Sequence, residues 1–422
     1  MEKYKTSIFN IPFDKEGITY IYNTMSGSLI KLDDASRDAF EQTDFDFTTF
    51  DSHLLEKLLC KGFIVKSHID EMGMLYEKTN EAIYSSFPSA VSYTIVLTNK
   101  CNYSCKYCFE AQNKQSNNAT IDVDKTVSFI LKQIEHNKEL KYLRITWFGG
   151  EPLIYEDGID IITGKLLPVL SERKIKYTSS IITNGYLISD QFIDNLEKNQ
   201  ISSIQITLDG MPEVYADYKG TAPGAFDRVL SNIKKICTSK SSCSVGIRLN
   251  CDKDNIASIF SLLDYLDASG FFANCNINLA PITGSDGSEF SDSEYEIIQL
   301  KFYSYLCDKG YKELVKKKLK KSRLMSCGYV GSGSYIIDVD GTLKKCERYV
   351  GMQDKVVGDV ILGRYYNSAE REFQLNDILD KCMSCSLYPI CRGGCKNSRL
   401  SGKEIDCHLQ RDNLIKLLNM LV

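Results

Sequence analysis

Three cysteines that could bind a metal lie close together at Cys101, Cys105 and Cys108, separated by three and two residues. Thiolates are soft ligands that select iron–sulfur clusters and zinc ions. A structural zinc site needs a fourth Cys or His, and this short loop contains none. An iron atom without a protein ligand is open to a small molecule. The spacing therefore favours a cluster with one open iron, and zinc stays the alternative.

Seven further spaced cysteines lie near the C-terminus. Their order is Cys327-x13-Gly341-x4-Cys346, then Cys382-x2-Cys385-x5-Cys391-x3-Cys395-x11-Cys407. A reducing compartment disfavours disulfides, so clustered cysteines there indicate metal binding or catalysis. The other six cysteines are scattered and are predicted to be small buried hydrophobes: Cys60, Cys237, Cys243, Cys251, Cys275 and Cys307.

Strands and helices alternate from about residue 90 onward, and the first cysteine group comes just after the first of these strands. The six predicted strands are apolar and β-branched: Val91–Thr98, Tyr142–Phe148, Tyr177–Thr183, Ser203–Leu208, Ser244–Asn250 and Ala273–Ala280. The predicted helices between them are Asp122–His136, Gly158–Arg173, Ser189–Lys198, Ala225–Ser239 and Asn255–Asp267. Such units form a parallel sheet, but six are too few to close an eight-stranded barrel. We therefore expect an α/β fold with a partial (β/α)6 barrel and its active site at the carboxyl ends of the strands.

The regions outside the barrel differ from it in pattern. Short strands and helices near the N-terminus predict a small winged-helix-like domain. A long helix is expected over about 292–320, after a loop at 283–291. In the Cys-rich region a hairpin is expected to turn at Asp340 and Gly341. The predicted domains are 1–85, the winged-helix-like domain; 90–282, the barrel; 283–326, a helical linker; and 327–422, the Cys-rich domain.

The composition is that of an ordinary folded protein. In 422 residues, 43% are hydrophobic and 25% charged, which excludes a disordered or collagen-like chain. A net charge of −4 gives no sign of a nucleic-acid or membrane-surface partner. The N-terminus lacks the apolar segment of a signal peptide, and no apolar run approaches the roughly 20 residues of a membrane span. We therefore expect a cytoplasmic protein.

The first cysteine group, with Tyr107 before its last cysteine and a strand before its first, resembles the radical S-adenosylmethionine (SAM) superfamily. Gly149-Gly150-Glu151-Pro152, after the second strand, is similar to that family's GGE motif. Thr183–Gly185 and Thr207–Gly210, after the third and fourth strands, also match its usual pattern. The resemblance covers roughly residues 90–281.

The resemblance implies a [4Fe-4S] cluster on the first three cysteines, with the methionyl amine and carboxylate of SAM on the open iron. Glu151 is then expected to accept a hydrogen bond from the amine. Two glycines let the backbone come close. Arg248 is expected to hold the carboxylate together with a threonine, and Lys219 is the rival cation. The implied cofactor-binding residues are Tyr107 beside the adenine, Gly149, Gly150, Glu151, Thr207 and Arg248. The sequence assigns no catalytic residue.

The C-terminal cysteines resemble the seven-cysteine SPASM extension of radical SAM enzymes, and a double zinc ribbon is the alternative. The resemblance implies two auxiliary clusters, and so three [4Fe-4S] clusters in all. The outer cluster is expected on Cys382, Cys385, Cys391 and Cys407, and the inner cluster on Cys327, Cys346 and Cys395.

One position departs from the pattern of sulfatase-maturing members of the family. Those members often carry a further cysteine six residues after the first, where this chain has Gly333. The inner cluster is therefore expected to have an open iron, or to borrow a ligand such as Cys275 or Cys307. This departure weakens the sulfatase interpretation.

The N-terminal domain resembles a PqqD-like peptide recognition element, and a non-binding structural cap is the alternative. We therefore expect an enzyme that modifies a ribosomally synthesised precursor peptide, whose leader adds a strand to this domain. A 5′-deoxyadenosyl radical is expected to abstract a hydrogen atom from the peptide, with a Cys thioether as the product. An electron donor such as flavodoxin or ferredoxin is the other implied partner. The alternatives are a sulfatase-type maturase that makes formylglycine and a non-enzymatic iron–sulfur or zinc protein.

Overall fold

The computed structural model describes residues 3–42, 45–112, 119–222, 224–283, 287–376, 378–404 and 406–422. It divides into two compact units. The first unit contains Met1–Ser85, Glu296–Ser332 and Phe373–Val422, and the second contains Ser86–Tyr295 and Gly333–Glu372. No helix in the described ranges combines the length and apolar character needed to cross a membrane.

The elements are numbered along the chain. The strands are β1 Tyr4–Thr6, β2 Asn10–Lys15, β3 Ile18–Asn23, β4 Leu29–Lys31, β5 Ile64–Lys66, β6 Ala90–Thr98, β7 Tyr142–Gly149, β8 Lys176–Thr183, β9 Ile201–Leu208, β10 Ser244–Cys251, β11 Cys275–Pro281, β12 Ser334–Ile337, β13 Thr342–Lys344, β14 Gly358–Asp359 and β15 Gly363–Arg364. The helices are α1 Asp34–Glu41, α2 Ser52–Cys60, α3 Glu71–Tyr84, α4 Phe109–Gln112, α5 Val123–His136, α6 Glu156–Glu172, α7 Asp190–Asp194, α8 Pro212–Lys219, α9 Ala225–Thr238, α10 Ile256–Ala268, α11 Asp292–Asp308, α12 Lys312–Lys318, α13 Ser368–Gln374, α14 Tyr388–Cys391, α15 Lys396–Leu400 and α16 Cys407–Leu421.

A ten-stranded sheet forms the centre of the second unit, in the order β11-β10-β9-β8-β7-β6-β12-β13-β14-β15. Strands β6 to β11 run parallel to one another, which confirms the six parallel strands predicted from the sequence. The sheet continues beyond the prediction, because β12 pairs in parallel with β6 and leads through the predicted hairpin into β13.

Buried apolar strands and one-sided helices explain this fold. Ile95, Val96 and Leu97 of β6 are fully buried, as expected for a strand covered on both faces. In α5, the side chain of Asp122 accepts a hydrogen bond from the backbone N–H of Lys125, which satisfies one of the free donors at the helix start. Because β6 to β11 run parallel, their carboxyl ends meet at one end of the sheet.

The first unit has two small antiparallel sheets, one with the order β2-β3-β4 and one that pairs β1 with β5. One core lies within residues 1–85 and includes Phe47, Leu58 and Phe63. A second core joins Ile11 and Phe13 of β2 to residues of the C-terminal segment: Leu387, Ile390, Leu414 and Leu418. The N-terminal strands and the Cys-rich segment therefore share one apolar interior.

Several predicted elements differ from the observed ones. The helix expected over 292–320 is two helices, α11 and α12, because Gly310 adopts a positive φ of 85° between them. Helix α7 spans five residues, fewer than predicted, and α8 was not predicted at all. Part of the loop expected at 283–291 lies outside the described residues. The predicted domain limits stay a prediction, and the compact units place β12 to β15 with the central sheet.

Candidate active site

The three-cysteine loop follows β6 at the carboxyl end of the parallel strands. The backbone N–H of Tyr103 donates to the Sγ of Cys101 over 3.4 Å. Farther along the loop, Ser104 N donates to the carbonyl of Lys219, at the end of α8, over 3.0 Å. The backbone N–H of Lys106 donates to the carbonyl of Tyr218, also over 3.0 Å. Helix α8, which sequence analysis missed, therefore fixes the middle of the cysteine loop.

The GGE turn holds the other end of the loop. Gly150 N donates to Thr98 O over 3.0 Å, and Glu151 N donates to Lys100 O over 2.8 Å. Gly149 has a positive φ of 134°, and a Cβ there would lie 2.3 Å from Thr98 O. A Cβ on Gly150 would lie 2.3 Å from Lys100 O. The glycines were predicted to allow close backbone approach, and the group that approaches them is the start of the cysteine loop.

Glu151 is fully buried behind this turn. Its Oε1 accepts hydrogen bonds from Leu153 N at 3.1 Å and Thr183 Oγ1 at 2.7 Å. Its Oε2 accepts from Asn184 N at 2.8 Å. Burial raises the pKa of Glu151, although these donors oppose the shift. The carboxylate thus ties the second and third strand-end motifs together, and Oε2 keeps a lone pair for one more donor.

A buried polar network surrounds the hydroxyl of Tyr107. This hydroxyl donates to Asp209 Oδ2 over 2.7 Å and accepts from Lys219 Nζ and Asn250 Nδ2, each over 2.9 Å. Lys219 and Asp209 form an ion pair of 3.1 Å, with side-chain exposures of 5% and 0%. Burial lowers the pKa of Lys219, but Asp209 and the hydroxyl of Tyr107, with smaller contributions from other neighbours, together hold that pKa well above its usual value. Sequence analysis missed Asp209 and Asn250, although Asp209 belongs to the motif after the fourth strand.

Thr207 and Arg248 lie side by side, because β9 and β10 pair in the register that aligns these two residues. The Nε of Arg248 donates to Asn250 Oδ1 over 2.8 Å, which connects Arg248 to the Tyr107 network. The rival cation, Lys219, already binds Asp209 and Tyr107. The structure therefore brings the predicted cofactor-binding residues together at one end of the sheet, and their roles stay a prediction.

The site fits a metal-dependent cofactor that carries a hydrogen-bond donor, on two observations. Burial raises the pKa of Cys101 to about 11 and also raises that of Cys105, so thiolates there need a positive partner such as iron. Asp209 Oδ1 is buried without a hydrogen-bond partner, an acceptor that a bound group can satisfy. Within the described ranges, no three His, Cys, Asp or Glu side chains are grouped around a single metal ion. A cluster has a different requirement, since each of its irons takes its own thiolate.

The four cysteines assigned to the outer cluster lie near one another in the first unit. Burial, together with the neighbouring thiols of Cys385, Cys391 and Cys407, raises the pKa of Cys382 to about 11. Cys407 is the first residue of α16. The structure therefore collects the four thiols that the SPASM resemblance assigns to the outer cluster.

The inner-cluster assignment stays a prediction. Cys327 and Cys395 belong to the first unit and Cys346 to the second. A Cβ on Gly333 would lie 2.9 Å from Pro88 Cγ, so this position has no room for the missing cysteine.

The idea that Cys275 lends a ligand is not supported by its surroundings. Its Sγ lies 3.5 Å from the Sγ of Cys237, at the amino end of β11. The other candidate, Cys307, lies in α11, where burial raises its pKa.

Comparison with known proteins identifies relatives of the chain. Residues 95–256 match the family described as the Radical SAM superfamily. The radical SAM cyclopropyl synthase TigE of Paramaledivibacter caminithermalis is 25% identical over 376 residues, which cover 79% of this chain and 74% of that protein. The cysteine-type anaerobic sulfatase-maturating enzyme of Clostridium novyi is 23% identical over 333 residues, which cover 72% of this chain and 86% of that enzyme.

Solved structures share the fold. Native anSMEcpe with bound AdoMet superposes with a TM-score of 0.59 at 17% identity, covering 78% of this chain and 99% of that one. Streptococcus suis SuiB bound to S-adenosylmethionine gives a TM-score of 0.54 at 17% identity, covering 96% of this chain and 99% of that one. Both likenesses confirm the predicted α/β architecture, and the second extends over nearly the whole chain.

Proposed function

Because residues 95–256 form a radical SAM domain and the protein is therefore a radical SAM enzyme, we propose that it modifies a ribosomally synthesised precursor peptide. When bound, SAM and a [4Fe-4S] cluster supply a 5′-deoxyadenosyl radical, which abstracts a hydrogen atom from a peptide carbon. The product we propose is a thioether between that carbon and a cysteine sulfur of the peptide. A low-potential donor such as flavodoxin or ferredoxin delivers the electron.

The chain's own residues bind and orient the cofactor. Cys101, Cys105 and Cys108 hold the cluster, while the loop that carries them is fixed by the GGE turn and by the end of α8. Glu151 accepts a hydrogen bond from the methionyl amine through the free lone pair of Oε2. Arg248 binds the carboxylate beside Thr207. The buried Tyr107 network excludes water, which protects reactive groups from side reactions.

The observation that carries this proposal is the meeting of three thiols, a buried carboxylate and a buried ion pair at one end of the sheet. These groups come from four separate parts of the chain: the 101–108 loop, Glu151, Asp209 and Lys219. Hydrogen bonds join Tyr107 of the loop to Asp209 and Lys219, and Thr183 to Glu151. Perturbed ionisable groups gathered at the carboxyl ends of parallel strands are typical of a reactive centre.

A peptide substrate is supported by the N-terminal region. The likeness to SuiB covers 96% of the chain, and SuiB has been solved bound to its precursor peptide SuiA. Strand β4 lies at one edge of the β2-β3-β4 sheet, with the Leu29 side chain exposed. We propose that the leader of the precursor peptide pairs with this edge as an added strand, in the manner of a PqqD-like element.

Two auxiliary clusters complete the proposal, giving three [4Fe-4S] clusters per chain. The outer cluster takes the four thiols that lie near one another, Cys382, Cys385, Cys391 and Cys407. The inner cluster takes Cys327, Cys346 and Cys395. When bound, the two clusters would supply acceptors for the electron that the substrate must lose as the new bond forms.

A sulfatase-type maturase that oxidises Cys or Ser to formylglycine is the second candidate function. The relative from Clostridium novyi and the anSMEcpe fold favour it. Two features favour the precursor-peptide maturase instead. Position 333 has no space for a cysteine, and the chain has the N-terminal region that we propose binds a leader. The two functions leave different products, since formylglycine is an aldehyde and a thioether is not.

The test uses the anaerobically reconstituted full chain with SAM, dithionite and the peptide encoded by a small reading frame beside its gene. We expect 5′-deoxyadenosine and a peptide that has lost two hydrogens and one alkylatable cysteine. A matched incubation with a sulfatase-derived peptide should give no hydrazide-reactive aldehyde. The variant Cys101→Ala/Cys105→Ala/Cys108→Ala should make no deoxyadenosine, and retained SAM cleavage in it would disprove the site.

A further inference from the structure

A second thiol group lies away from the proposed active site. Cys237 is in the last turn of α9, Cys275 begins β11, and their Sγ atoms are 3.5 Å apart. Cys243, just before β10, is the third member, and its pKa is raised to about 11 by burial and by Cys237. Because Cys275 is at the amino end of its strand, the group lies at the opposite end of the parallel sheet from the Cys101 loop.

The contact between Cys237 and Cys275 makes the two thiols unequal. The hydrogen bond with Cys275 lowers the pKa of Cys237, and the same contact, together with burial, raises the pKa of Cys275. Cys237 is partly exposed, whereas Cys275 is only 5% exposed. A thiolate is the reactive form of cysteine, so Cys237 is the nucleophile and Cys275 is the buried second thiol.

We propose that Cys237 and Cys275 are a reversible oxidation site. A low-molecular-weight disulfide oxidises the two thiols, which then form an intramolecular disulfide. The Cys237 thiolate attacks one sulfur of the external disulfide, forming a mixed disulfide and releasing one thiolate. Cys275 then gives up its proton and attacks the Cys237 sulfur, releasing the second small thiol. Two protein thiols are thereby oxidised, and one external disulfide is reduced to two thiols.

The geometry suits the second step. The two sulfurs already touch, and they need to approach from 3.5 Å to the roughly 2.05 Å of a disulfide bond. The new bond joins the end of α9 to the start of β11, which is the terminal strand of the ten-stranded sheet. Since β11 is an edge strand that pairs with β10 in this sheet, the covalent link secures one edge of the sheet.

The sequence makes the test specific, because trypsin places each thiol on its own peptide. Cleavage after Lys and Arg gives Ile236–Lys240, Ser241–Arg248 and Asp254–Lys301, each with one cysteine. The reconstituted full chain is incubated anaerobically with oxidised glutathione, alkylated at low pH and digested. We expect Ile236–Lys240 joined to Asp254–Lys301, with alkylation of Cys237 reduced to background and restored by dithiothreitol.

Two variants and one internal standard complete the experiment. Cys243→Ser should keep the cross-linked peptide, and Cys237→Ser should abolish it and leave Cys275 alkylatable. Exposed Cys60 reports that the oxidant reached the protein, and iron content measured before and after confirms intact clusters. The proposal is wrong if Cys60 is glutathionylated while Cys237 and Cys275 remain separately alkylatable. It is equally wrong if Cys237 is joined only to Cys243.

Discussion

Asp209 holds several neighbouring groups of the candidate site in place. Its carboxylate receives the Tyr107 hydroxyl and the Lys219 ammonium, and its backbone carbonyl accepts from Asn255 Nδ2 over 3.0 Å. A buried ion pair contributes little net stability when intact, but removing one partner leaves an uncompensated charge. The ion pair therefore matters mainly because it positions Lys219, whose backbone carbonyl accepts a hydrogen bond from Ser104 N of the cysteine loop.

Asp209→Asn should destabilise the protein by about 3 kcal/mol, because Lys219 would keep a buried charge without its counter-ion. Chemical denaturation followed by circular dichroism measures this change. Asp209→Asn/Lys219→Met, which removes both charges, should recover part of the loss. The control is Asp217→Asn, whose partner Lys106 is exposed and whose effect should stay below about 1 kcal/mol. Equal losses in the two single variants would contradict the buried-pair argument.

Gly150→Ala should lower the iron content of the reconstituted protein. The added Cβ would meet Lys100 O at 2.3 Å, and this backbone atom cannot move without displacing the cysteine loop. The matched control is Gly164→Ala in α6, where nothing lies within 4 Å of the added Cβ and alanine favours the helix. Iron assay and the cluster absorbance compare the two variants. Full iron in Gly150→Ala would show that the loop tolerates a wider turn.

At the scale of elements, periodicity and turn residues predicted most of the barrel. All six parallel strands were found because apolar, β-branched runs alternate with amphipathic helices. Helix α8 was missed because it is only eight residues long and its aromatic and apolar side chains, Val214, Tyr215, Ala216 and Tyr218, form no clear stripe. The pairing of Lys219 with Asp209 could not be predicted, since it depends on where that helix packs. The thiol groups at 101–108 and 382–407 were predicted because ligand spacing is a local property.

Leu29→Asp should weaken binding of the precursor peptide and leave SAM cleavage without peptide unchanged. Strand β4 is an edge strand, and a charge on it discourages pairing with another strand. Met74→Asp is the matched control, because Met74 in α3 has a similar exposure, 45% against 43%. Fluorescence anisotropy with a labelled leader measures the affinity. Equal affinity for the two variants would reject β4 as the docking edge.

At the scale of the molecule, the first unit is built from both ends of the chain. In one core, Ile11 and Phe13 pack with Leu387 and Leu418. A second core consists of Phe9, Met72, Leu75, Cys382 and Tyr388. Lys15 Nζ also donates to Asn419 O over 2.9 Å. No spacing rule predicts such a contact, because the partners are about four hundred residues apart. The N-terminal region is therefore part of the scaffold of the outer cysteine group.

Deleting residues 1–85 should lower soluble yield and iron content together. The deletion exposes the apolar side chains around Cys382 and removes half of two cores. We expect loss of about four irons, the content of one cluster, in the fraction that stays soluble. Size-exclusion chromatography with iron analysis measures both effects, and Leu29→Asp serves as the folded comparison. A truncated protein with full iron and a monomeric profile would show that the shared cores are dispensable.

The shared core between the two ends of the chain sets the timing of biosynthesis. During translation, β2 leaves the ribosome before the residues that pack against Ile11 and Phe13 have been made. That surface stays exposed to water until the residues from Leu387 to Leu418 have been made. Such a nascent chain depends on chaperones to hold the exposed strand. On the proposed assignment, the outer cluster can form only after this late segment has been made, because Cys382, Cys385, Cys391 and Cys407 all lie in it.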